Sequence, residues 1–108
     1  MKRRTIVLGL LVSSATVAQV TSPARQFMQA MAESMTTMDH NMATAPMNGN
    51  VDHDFAAMMI AHHNGGLDMA KAELSFGKDP VMRRMAQEIL VEQQSEIDAM
   101  NLWTSRKH

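Results

Sequence analysis

Methionines at positions 28, 31, 35, 38 and 42 step by three and four residues through a polar background, the spacing of one apolar helix face. The pattern predicts a helix from about Ser22 to Met42, with Pro23 accommodated in its first turn. Ala43 to Val51 carries Pro46, Asn48, Gly49 and Asn50 and reads as a loop. A second helix begins near Asp52 to Asp54, whose carboxylates suit the positive helix end, and runs to about Leu74. Ser75-Phe76-Gly77-Lys78 closes it, with Gly77 as the C-terminal stop. Asp79-Pro80 then supplies an N-cap and a first-turn proline for a third helix reaching about Trp103.

The short connection folds the second and third helices into an antiparallel hairpin. Reflection about the turn makes facing residue numbers add to roughly 155 and sets His62 opposite Gln93. The third helix's seam, Met82, Met85, Ile89, Gln93, Glu96, Met100 and Trp103, turns polar at Gln93 and Glu96, opposite Met58 to His63. Two polar interruptions at one level mark either a site or a buried hydrogen-bonded pair between His62 and Glu96. The fold class is all-α: a helical hairpin plus an N-terminal helix. One hairpin and one methionine helix make a small core, so dimerisation into a four-helix bundle is the expected remedy.

The N-terminus reads as a secretory signal over residues 1–18, with Lys2-Arg3-Arg4 as the basic start, Ile6 to Val12 apolar and Thr16-Val17-Ala18 suited to cleavage. A retained anchor is the alternative, but the run is short for spanning a bilayer, so no stable membrane insertion is expected after cleavage. Behind it lie a methionine-rich helix and loop (19–51), the hairpin (52–103) and a tail (104–108). Removing the signal leaves seven basic residues against eleven acidic, a net charge of −4, and no basic patch for nucleic acid.

Composition then sharpens the chemistry. The chain has 13 methionines against three Phe, one Trp and no Tyr, a bias that packing alone explains poorly because the flexible thioether specifies a core weakly. It has no cysteine, so no disulfide staples it. In an oxidising compartment a thioether binds Cu(I) without the pairing reaction of free thiols.

Met58-Met59-Ile60-Ala61-His62-His63 places two thioethers one helical turn before two imidazoles. Thioether with neutral imidazole is a donor set for copper, above all Cu(I), whereas zinc sites favour Cys or carboxylate beside His. Candidate ligands are His62, His63, Met58, Met59, Met69, two turns along from His62, and Met100, approaching from the third helix near Phe55. Adjacent histidines point about 100° apart, so both reach one metal only if the helix distorts or one serves another chain. Glu96 and Gln93 are candidates for orienting a bound imidazole. Met38, His40 and Met42 form a second, weaker cluster, for which a packed methionine seam with one solvated histidine is the plain alternative. His53 and His108 carry no supporting pattern, and Lys71, Glu73, Arg83 and Arg84 read as solvated helix faces. Gly65-Gly66 costs the second helix about 1 kcal/mol per glycine; either close helix packing or room for a metal-bound side chain offsets it.

The stretch from Asp52 to Trp103 resembles the domain of unknown function 305 family, an exported bacterial group placed among ferritin-like helical bundles. The resemblance rests on Asp54-Phe55, Met58-Met59, His62-His63, Asp68-Met69-Ala70, Gly77, Gln93, Glu96-Ile97, Met100 and Trp103. Asn64-Gly65-Gly66 stands where Gln-Gly-Ala is usual, and the methionine helix before Asp52 lies outside this pattern. The resemblance implies a periplasmic protein that binds copper and contributes to copper or silver tolerance, without enzymatic activity.

The expectation is therefore an exported protein that sequesters or carries Cu(I), with Ag(I) a second cargo, acting as a homodimer and exchanging metal with a partner protein. Two other classes stay open. A helical partner-binding or structural protein would use its methionine face without metal. A ferritin-like di-iron oxidase needs Glu-x-x-His pairs, and no glutamate here has a histidine three positions later.

Overall fold

The computed structural model describes residues 2, 5–7, 9 and 22–106, and the signal expected over residues 1–18 falls largely outside them. Three helices follow in order: α1 (Pro23–Ala43), α2 (Val51–Phe76) and α3 (Pro80–Ser105). None is long and apolar enough to cross a membrane.

Each helix begins at a side chain that satisfies its free amides. Ser22 accepts from the Arg25 amide at 3.2 Å, with Pro23 following it. Asn50 caps α2 by accepting from the His53 amide at 3.0 Å, with Asp52 and Asp54 in the first turn as expected. Asp54 instead reaches back to the Asn48 and Gly49 amides at 2.9 and 3.1 Å, tying the loop to α2 where Gly49 takes φ 88°. Asp79 Oδ1 accepts from the Val81 and Met82 amides, capping α3.

Gly77 does end α2, but at φ −74° and not in a left-handed conformation. Its lack of a side chain matters because the Glu73 carboxylate lies where a Cβ would sit. Arg83, expected to be solvated, donates from one guanidinium nitrogen to the Leu74 and Gly77 carbonyls at 2.7 and 3.1 Å. It therefore closes the C-terminus of α2 and fixes the turn. Arg84 does face solvent, in a loose 3.8 Å pair with Glu88.

α1 and α3 both pack on α2 and, among the described residues, not on each other. The molecule is a layer with α2 in the middle. Two contacts made by α2 set this arrangement: a Cβ on Gly65 would lie 2.6 Å from Met38 Sδ of α1, and Gly66 abuts the Gln93 amide of α3. The glycine pair thus gives each neighbour a place of close approach. The buried apolar residues are mostly small: Ala56, Ala61, Ala70, Ala72 and Ala86, with Leu67 and Ile97. Many larger side chains stay exposed, among them Met28, Met35, Phe55, Met82 and Met85.

The hairpin register differs from simple reflection. His63 meets Glu96 and Gly66 meets Gln93, so facing numbers add to 159. Helical side chains lean toward their own N-terminus. In this hairpin that lean points away from the turn on α2 and toward it on α3, so the residues that meet sit about one position further along on each helix than their Cα levels suggest, which raises the sum by about two and accounts for half of the difference.

Candidate metal centre

The register decides which histidine faces inward. His62, expected opposite Gln93, is exposed, and Gln93 lies on Gly66 instead. His63 is buried in the α2–α3 seam and joins its Nε2 to the Glu96 carboxylate. The bond expected between His62 and Glu96 therefore belongs to the next residue, because a shift of register moves the inward position round the helix. The two rings stand edge to face, 6.1 Å between centroids and 62° between planes, so the second imidazole borders the first from the solvent side.

The His63 ring is half satisfied. Nε2 has its carboxylate partner, whereas Nδ1 is buried with no hydrogen-bond partner. With the ring proton on Nε2, donated to Glu96, Nδ1 carries a lone pair directed into the protein. A buried acceptor without a partner is costly, and Glu96, which holds the other ring nitrogen, keeps 60% of its side chain exposed. Gln93 Oε1 is likewise buried and unpartnered, one turn of α3 from Glu96.

The facing rows continue on both sides of this pair. On α2, Met59 lies one turn before His63; on α3, Met100 lies one turn after Glu96, and 59 and 100 share the 159 register. Both methionines are half-buried. Met100 also lines a pocket with Phe55, Ala56 and Trp103, while Met58 is half-buried one turn before His62. Met69 is placed elsewhere. It lies toward the turn, in a groove with Met31, Met82 and Met85.

The six expected ligands therefore do not form one cluster: His63, Met59 and Met100 share the seam, His62 and Met58 lie beside it, and Met69 belongs to the groove. The weaker cluster also divides. Met38 and Met42 are half-buried, with Met38 against Gly65, but His40 is exposed about 200° round α1 from either neighbour. Among the described residues no three His, Cys, Asp or Glu side chains gather as a metal-holding group, so a centre in the seam has to draw on thioethers.

The chain matches, over residues 8–104, the family model described as Domain of unknown function (DUF305). It belongs to that family. The match extends beyond the Asp52–Trp103 stretch and takes in α1, so the methionine helix is part of the DUF305 region. No curated protein matches the chain.

One electrostatic feature of this DUF305 chain lies at the other end of α2. The Asn48 amide, followed by the His53 ring and the Gly49 amide, holds the Asp54 carboxyl below the ordinary carboxylate range. His53 Nδ1 sits 3.1 Å from Asp54 Oδ1. His53 is thus engaged in fixing the loop, a role that its isolated position in the sequence did not signal.

Proposed function

We propose that this DUF305 chain is an exported copper-binding protein that buffers or carries Cu(I), accepts Ag(I) in its place, and catalyses no reaction. The supporting observation is His63, whose Nε2 is held by a carboxylate and whose Nδ1 is a buried, unpaired acceptor. Histidines that bind metals characteristically donate their second ring N–H to a carboxylate or carbonyl, which fixes the tautomer and strengthens the ligating nitrogen. Here Glu96 supplies that acceptor, and Nδ1 is the ligating atom.

Met59 and Met100 supply the thioethers from either side of the seam. Neutral imidazole and thioethers suit a soft monovalent ion, and the Glu96 carboxylate balances its single charge. The exposed His62 borders the site from outside, where it serves entry or hand-off of the ion to a partner protein. Small thioether sites of this kind release metal readily, which fits transport and buffering.

The layer leaves a side of α2 open toward its N-terminal half, where Phe55 and His62 are exposed. A second copy laid there, hairpin against hairpin, completes a four-helix bundle of the ferritin-like kind and covers the exposed Phe55.

Anaerobic titration of the full chain with Cu(I) against a chromophoric chelator tests the reading. His63→Ala removes the tightest site, whereas His62→Ala keeps it with weaker retention. Equal binding by wild type and His63→Ala overturns the assignment.

A further inference from the structure

The groove near the hairpin turn collects thioethers from all three helices. Met31 of α1, Met69 of α2, and Met82 and Met85 of α3 line a space of about 350 Å³ together with Phe27 and Glu73. Packing within the chain does not account for them, since Met82 and Met85 remain 48% and 46% exposed. Leu or Ile would fill such a space with better-defined rotamers, whereas methionine adds a mobile donor atom on three rotatable bonds.

Glu73, a half-buried residue whose carboxylate lies against Gly77, is the one titratable side chain in the lining, and it makes no side-chain hydrogen bond or ion pair among the described residues. A lone carboxylate on a mostly apolar wall is unfavourable unless a cation joins it. Four neutral sulfurs and one negative charge make a complement for a single monovalent soft ion.

We infer that this groove is a second site for Cu(I) or Ag(I), coordinated by thioethers alone and balanced by Glu73. The inference rests on the copper-binding reading, but the two sites respond differently to acid. Imidazole has to be neutral to ligate, so protons compete with the ion at a histidine site. Thioethers take up no proton, and the groove keeps its ion.

The test is Ag(I) bound per chain after desalting, measured at pH 7.5 and 5.5, for four forms of the full chain. These are wild type, His62→Ala/His63→Ala, Met31→Leu/Met69→Leu/Met85→Leu, and the combination. Leucine keeps the groove apolar, and circular dichroism checks that the helices survive. The inference predicts that the histidine variant keeps one ion at both pH values. The groove variant should keep one at pH 7.5 and none at pH 5.5, and the combination should bind none. If the groove variant matches wild type at pH 5.5, the second site is refuted. If the histidine variant matches wild type while the groove variant binds none, the groove stands and the His63 reading falls. X-ray absorption on silver-loaded wild type at pH 5.5 gives an independent check that needs no variant. A shell of sulfur with at most one oxygen supports the groove, and a nitrogen shell refutes it.

Discussion

His63 and Glu96 face each other across the α2–α3 seam, thirty-three residues apart in the chain, with the imidazole Nε2 on a carboxylate oxygen and Nδ1 left buried and unpaired. The pairing separates two roles in one ring: one nitrogen is anchored, the other is available. Glu96 should therefore govern affinity without touching the ion. Glu96→Ala is expected to weaken Cu(I) binding by about 10- to 100-fold, and Glu96→Gln, which keeps an oxygen acceptor, by less. Competition titration measures both; affinities equal to wild type would separate the carboxylate from the site.

The two glycines of α2 should respond oppositely to alanine. At Gly65 a Cβ would fall 2.6 to 2.8 Å from Met38 Sδ, Cγ and Cβ, and the last of these cannot move without α1. Gly65→Ala is expected to destabilise the fold by about 1–3 kcal/mol through overpacking. At Gly66 only the end of the Gln93 side chain obstructs, and it can rotate away. Gly66→Ala should be neutral or stabilising by up to about 1 kcal/mol, the helix-propensity gain over glycine. Urea denaturation of both variants checks the contrast, and equal destabilisation would contradict it.

Acid should loosen the α1–α2 loop through Asp54. Its carboxyl is held below the ordinary range mainly by the Asn48 amide, with the His53 ring and the Gly49 amide adding to it. A depressed folded value means stabilisation that is full above the unfolded carboxylate value, about 3.9, and lost as pH falls through the folded one. Asp54→Asn should thus lower Tm at pH 7, with the gap to wild type narrowing below about pH 4. A gap of constant size from pH 7 to pH 2.5 would show that the charge of Asp54 is not what holds the loop.

The uncovered side of α2 should mediate self-association. Phe55 is 63% exposed there, so Phe55→Glu is expected to shift a dimer toward monomer in sedimentation velocity while leaving helicity unchanged. A wild-type chain that stays monomeric at high micromolar concentration would refute dimerisation.

Much of the secondary structure is readable directly from side chains that act locally. Ser22-Pro23 and Asp79-Pro80 mark two helix starts because a capping oxygen and a proline without an N–H need no distant partner. The choice between His62 and His63 is not local. It depends on a register offset to which the lean of side chains on antiparallel helices contributes about half, and one residue of error moves the inward position by 100°. The seat of Met38 on Gly65 likewise follows from which side of α2 receives α1, and no short-range pattern encodes that. The separation of Met69 from His62, by contrast, is set by α2 alone, since seven residues span about 10 Å along a helix axis. Arg83 escaped notice because its partners are backbone carbonyls of another helix.

The most direct test is long-range proton–nitrogen NMR of the imidazole rings in nitrogen-15-labelled protein, recorded before and after one equivalent of Ag(I) at pH 7.5. His63 is expected to be the Nε2-protonated tautomer before addition, and its Nδ1 resonance to shift, with silver coupling, afterwards. An Nδ1 signal of His63 that stays unmoved while Ag(I) is bound elsewhere would contradict it.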